Sequence, residues 1–263
     1  MLTCISANIP KSSTAKHAVL LLHAFPLSAA MWQPQIDALR KAGFTVIAPN
    51  SFGIDGSDEK ESWSFTDYAH ELASLLESLK IEKVTIVGLS MGGYQAFEFY
   101  RLYPDKTASL VLSDTRAEGD APEARSTREE FIQAVNSAGA EEAIRRMIPN
   151  YFSPDTYTNR PELVAQVENI IRKQPANVIT AAMRAIMMRP DASSLLSTIN
   201  CPVLVMVGED DKATPPETAK SISTRISGAQ FRMLADAGHI SNIEQPEEFN
   251  RALLDHIEKV GIK

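Results

Sequence analysis

Cysteine is nearly absent from this chain of 263 residues, which carries only Cys4 and Cys201. The two make no C-x-x-C pair and no disulfide framework, and they read as buried free thiols in a reducing compartment. Long hydrophobic runs are missing as well: nothing approaches the roughly 20 apolar residues of a membrane span. The stretch 18–22 behind Lys11 and Lys16 loosely imitates a signal peptide but is too short for one. Positive charge is not in excess. With 26 Lys and Arg against 33 Asp and Glu, the net charge is −7, spread without blocks. That argues against nucleic acid or an anionic membrane as a partner, since either wants a basic patch. These absences point to a cytoplasmic protein that handles small molecules.

What is present is an ordinary globular composition, 44% hydrophobic and 22% charged, in a chain long enough to bury a sizeable core. Residues 1–10 read as a first strand or edge hairpin and 18–23 as a buried strand. A helix follows at 31–41 with Trp32, Ile36 and Leu39 on one face, then a strand at 44–48. The Ser-, Gly- and Asp-rich loop 49–64 belongs at the mouth of a site. A helix runs from there to residue 80, with Thr66 as its N-cap. Next come a strand at 84–87, an amphipathic helix at 95–102 and a strand at 110–112. This alternation predicts a mostly parallel sheet with helices on both faces.

The pattern changes after Asp114. From 116 to 189 no segment reads as a strand, and helices are expected at 125–137, 140–148, 161–173 and 176–188, punctuated by Pro154, Pro161, Pro175 and Pro190. Alternation resumes with a strand at 202–207, a helix at 217–226, a strand at 230–234 and a closing helix at 247–260. The division that follows is an α/β core over 1–115 and 190–263, with a helical cap at 116–189. The insertion falls at the strand end where open-sheet sites form, which suits a lid.

The chemistry centres on Gly88-Leu-Ser90-Met-Gly92, the G-x-S-x-G pattern between a strand and a helix. Such a turn forces its central residue into a sparsely populated backbone region, and flanking glycines supply the room. Ser90 is therefore the candidate nucleophile, standing where backbone N–H groups and the helix dipole favour negative charge. A serine needs a base, and the base needs a third group to orient it. Of the five histidines, His70 and His256 lie in expected helices, His17 precedes a strand, and His23 reads as a loop anchor. His239 sits in a loop after the last strand, where the chain order Ser, acid, His wants the base. For the acid, Asp211 in Gly208-Glu-Asp-Asp-Lys-Ala-Thr-Pro215 is preferred, with Asp210 beside it. Asp114 is a third candidate that reads better as a loop or N-cap aspartate. Two N–H donors aimed at a developing oxyanion are expected from Met91 and Phe25.

Together His23-Ala-Phe-Pro26, the Ser90 pentapeptide, the Asp211 segment and Ala237-Gly-His-Ile240 resemble the α/β-hydrolase superfamily, over almost the whole chain. Ser241-Asn-Ile-Glu-Gln-Pro246 and Asp114-Thr-Arg116 are similar to 3-oxoadipate enol-lactonases and related small esterases. Phe25, Met91 and Trp32 are similar to the cofactor-free haloperoxidases, or perhydrolases. One departure is Ala24, where that loop usually has glycine. Another is 51–57, where an arginine and glycine are usual. The resemblance implies a Ser-His-Asp triad, a helical cap, no cofactor and no metal.

The function expected is hydrolysis of a small carboxylic ester or lactone through an acyl-enzyme. Trp32, Met183 and Met187 are candidate pocket residues, although methionines at helical spacing are more often core. Two rivals stand beside it: a carbon–carbon bond hydrolase of a diketone-like substrate, and a small-ligand receptor of the same fold with slow turnover.

Overall fold

The computed structural model describes residues 1–9 and 17–261, so Lys11 and Lys16 lie outside the described residues. Among these residues seven strands form one sheet: β1 Cys4–Ala7, β2 His17–Leu22, β3 Val46–Pro49, β4 Lys83–Leu89, β5 Thr107–Ser113, β6 Val203–Gly208 and β7 Gln230–Leu234. Their order across the sheet is β1-β3-β2-β4-β5-β6-β7. Only β1 runs antiparallel, pairing Cys4 with Pro49 and Ala7 with Val46. The inner strands are apolar runs buried along nearly their whole length, as a sheet covered on both faces requires. The edge strand β1 is only half covered. Cys4 is accordingly exposed and Cys201 half-buried, so neither is the buried thiol expected of it, although both are free.

Helices α1 Gln33–Lys41, α2 Phe65–Ser78 and α3 Met91–Leu102 connect the first parallel strands. From β2 the chain steps outward to β3, then returns past β2 to β4. Right-handed crossovers in opposite directions put α1 on one face and α2 and α3 on the other. The reversal leaves a crevice at the carboxyl ends of β2 and β4, where the loops carrying Phe25 and Ser90 emerge. Helix α2 is capped by Ser64 rather than Thr66. The Ser64 hydroxyl accepts from the Asp67 N–H at 3.1 Å, while the Asp67 carboxylate accepts from the Ser64 N–H at 2.8 Å. Thr66 instead donates to Glu98 on α3 at 2.5 Å. Helix α3 is not amphipathic as expected: every residue from Met91 to Tyr100 is buried. Of its polar members, Gln95 donates to the Ser51 hydroxyl inside, and the buried Glu98 carboxylate pairs with Arg101 at the surface.

Between β5 and β6 lie five helices: α4 Pro122–Ala138, α5 Ala140–Met147, α6 Pro154–Asn159, α7 Pro161–Arg172 and α8 Ala176–Met187. The four expected there are present within a few residues, and α6 is additional. The closing elements are α9 Pro216–Arg225, a short α10 Ser241–Glu244 and α11 Pro246–Val260. No helix among the described residues is long and apolar enough to cross a membrane.

Candidate active site

Ser90 occupies the turn between β4 and α3 with φ 55° and ψ −113°, outside the ordinary regions for a residue with a side chain. Packing leaves no alternative. A Cβ on Gly88 would lie 2.3 Å from the Gly92 carbonyl oxygen, and one on Gly92 would lie 2.1 Å from that of Leu22. The turn is also tied to β5. The Ser90 N–H donates to the Ser113 carbonyl at 3.0 Å, and the Thr115 hydroxyl donates to the Ser90 carbonyl at 2.8 Å. Strain at one residue is thus held by backbone contacts on three sides.

The Ser90 hydroxyl lies 2.8 Å from His239 Nε2. On the other side of the imidazole, Nδ1 is 3.0 Å from each carboxylate oxygen of Asp211. Asp211, not Asp210, meets the histidine. Its carboxylate accepts further bonds from the Ala213 and Thr214 N–H groups, both at 2.9 Å, and from the Thr214 hydroxyl at 2.6 Å. Burial alone would raise the Asp211 pKa, but the adjacent imidazole and these donors outweigh it and hold the carboxyl below its ordinary value. For His239 burial works against charging. The Asp211 carboxylate, with Asp114 behind it, overcomes that and raises the pKa above 6.5, while Arg116 opposes.

Asp114 is neither the partner of His239 nor a helix N-cap. It is fully buried behind the pair, accepting from Ser113 and from Ser241 through one oxygen and from the Gly208 N–H at 2.8 Å through the other. It thereby ties β5, the end of β6 and the residue two places after His239 into one cluster. Burial, then the charge of Asp211, pushes its pKa to about 7.

His23 is a loop anchor. Its Nδ1–H donates to the Ala24 carbonyl at 2.9 Å and its Nε2 accepts from the Ser51 N–H at 3.0 Å, joining the loops after β2 and β3. Ala24 keeps a negative φ, so this loop accommodates alanine without strain. His17 pairs with Thr85 and His70 with Tyr103, while His256 is buried in α11.

A cavity of about 150 Å³ opens beside Ser90 and His239, lined also by Phe25, Tyr94, Arg116 and Tyr151 among others. Among the described residues the Phe25 N–H has no protein acceptor, and Met91 as the first residue of α3 has none within its helix. Trp32, Met183 and Met187 do not line this cavity. Trp32 is buried against Phe249 at a ring separation of 6.0 Å, Met183 is buried under Arg128, and Met187 lies outside. Met147 and Ile186 take the apolar role instead. Tyr94 and Arg116 carried a usable signal, one turn beyond the serine and at the carboxyl end of β5. Tyr151 did not. Its hydroxyl donates to the Phe25 carbonyl and its ring sits 5.5 Å from that of His239, contacts made across long stretches of chain. Among the described residues no three His, Cys, Asp or Glu side chains converge to hold a metal ion.

The whole chain is similar in sequence and in fold to known proteins. The esterase from Thermogutta terrifontis, solved with malate bound, superposes with a TM-score of 0.92 at 35% identity, covering 98% of this chain and 93% of that one. The 3-oxoadipate enol-lactonase 1 of Acinetobacter baylyi is 28% identical over 88% of this chain and 85% of its own length. The 2-hydroxy-6-oxononadienedioate/2-hydroxy-6-oxononatrienedioate hydrolase 1 of Pseudomonas putida is 30% identical over 92% and 88%. Residues 17–246 match the family described as alpha/beta hydrolase fold. The chain belongs to that family.

Proposed function

We propose that the protein is a serine hydrolase of small carboxylic esters or lactones. One observation carries the reading: Ser90, His239 and Asp211 form an unbroken hydrogen-bonded line whose serine end opens onto a cavity. In the reaction, His239 Nε2 takes the Ser90 proton as the oxygen attacks the carbonyl carbon. The Met91 and Phe25 N–H groups hold the oxyanion. The imidazolium, stabilised by Asp211, returns the proton to the leaving alkoxide. Water, deprotonated by His239, then releases the acid from the acyl-enzyme. The segment between β5 and β6 serves as a cap: α5 and α8 supply Met147 and Ile186 to the cavity wall, and the turn before α6 supplies Tyr151.

The test is hydrolysis of p-nitrophenyl acetate and butyrate by wild type and Ser90→Ala. Turnover on the order of 10 s⁻¹, lost in the variant, supports the enzyme. Turnover unaffected by the substitution sinks the assignment of Ser90, and slow Ser90-dependent release favours the receptor. The resemblance to the Pseudomonas putida hydrolase supports a second reading, carbon–carbon bond hydrolysis by the same three residues. A diketone-like substrate cleaved faster than any ester would favour it.

A further inference from the structure

The charges around the Ser90 cavity do not cancel. Asp120, at its wall, is shared by two arginines: Arg128 pairs with it through Nε and Nη2, and the buried Arg189 through Nη1 at 2.8 Å. A second cavity of about 230 Å³ adjoins the first, with Tyr94 and Arg116 belonging to both walls. Its acids are satisfied as well. Glu98 is paired with Arg101, and Asp191 accepts the N–H groups of Ser193 and Gly119. Among the described residues Arg116 alone of the four arginines lining these cavities has no carboxylate partner. It is half-buried, and its single hydrogen bond goes from Nη2 to the Ala213 carbonyl at 2.7 Å. A guanidinium has five N–H donors in a planar fork suited to a carboxylate. This one stands at the wall shared by the two cavities, in a chain whose net charge is otherwise negative.

We propose that Arg116 receives a carboxylate carried by the substrate, so that the preferred ester or lactone is an anion. The inference rests on the hydrolase reading and narrows its substrate class. A substrate carboxylate on Arg116 also offsets the cation that opposes charging of His239, which favours the imidazolium formed during acyl transfer.

Two pairs of substrates followed by proton release test it and separate the two places the carboxylate could sit. Monomethyl glutarate against methyl valerate puts it on the acyl side. O-butyrylglycolate against ethyl butyrate puts it on the alcohol side. Each kcat/KM is normalised to the rate of the same ester with hydroxide. Wild type is expected to favour the anion in one pair, and to lose that preference as salt is raised. In Arg116→Gln the anion-to-neutral ratio should fall about 10- to 100-fold, as for loss of a charged hydrogen bond. Arg116→Lys should keep part of it. Because both esters are measured on one preparation, partial unfolding cancels from the ratio. No anion preference in either pair of the wild type, or an unchanged ratio in Arg116→Gln, overturns the inference while leaving the hydrolase intact. Absence of any Ser90-dependent turnover overturns both.

Discussion

Two histidines end up in loops at the carboxyl edge of the sheet, one after β2 and one after β7, and both are almost completely buried. Their chemistry diverges. His23 has only peptide groups as partners, so burial lowers its pKa to about 4 and it stays a neutral bridge between the Ala24 carbonyl and the Ser51 N–H. His239 suffers the same desolvation, but Asp211 more than offsets it, and its pKa is raised. Burial therefore does not make a base. A carboxylate within hydrogen-bond reach does, provided that other donors keep that carboxylate ionised, as Thr214 and Ala213 do here.

The contrast is broken most severely by Asp211→Asn, which gives His239 a neutral partner like those of His23. We expect kcat/KM for ester hydrolysis to fall by about 10⁴, on the scale typical of an oriented Ser-His-Asp site. A loss of only a few-fold would show that His239 does not depend on Asp211.

The next effect in size is on stability. His23→Leu strands a buried N–H and a buried carbonyl, at a cost of about 1–3 kcal/mol each. The sign of its pH dependence follows from the lowered pKa. Between pH 6.5 and 4 the unfolded chain binds a proton that folded His23 refuses, so the wild type loses stability as pH falls through this window. Leucine has no such cost. The gap in melting temperature between wild type and variant should thus be larger at pH 7.5 than at pH 5, and a constant gap would count against a neutral His23.

The smallest effect sharpens the other side. Asp114 is one of the charges that hold the His239 pKa up, so Asp114→Asn should move the acidic limb of the kcat/KM profile to lower pH. Asparagine keeps the shape: its Oδ1 can still accept the Gly208 N–H, and the Ser113 and Ser241 hydroxyls can turn to accept from Nδ2. An unmoved or raised limb would mean that Asp114 acts only as packing.

How far these roles were legible in the sequence depended on range. Ser90, Asp211 and His239 each stand at the end of a strand, flagged by a few neighbouring residues whose turn chemistry is local. The mostly parallel sheet with helices on both faces likewise followed from the alternation of strands and helices, whereas the order of its strands came only from the structure. The short helices α6 and α10 escaped, because six and four residues are too few to show a helical period. Trp32 drew attention through the resemblance to the cofactor-free haloperoxidases, yet α11, far along the chain, claims its ring for the core. The Asp120 pairing that singles out Arg116 depends on Arg128 and Arg189, brought together by the fold between β5 and β6. No spacing rule reports such contacts.

The segment around Tyr151 is stitched to the loop that carries His239. Its carbonyl accepts the Ile240 N–H at 3.1 Å, and its hydroxyl holds the Phe25 carbonyl. Glu244 bridges the Ser153 and Gly238 N–H groups, and a Cβ on Gly238 would meet the Phe152 backbone at 2.6 Å. These bonds join the segment between α5 and α6 to the loop that seats His239. A substitution that loosens Tyr151 or Glu244 would therefore shift His239 as well as the cavity wall, so the base and the wall are kept in place by one set of bonds.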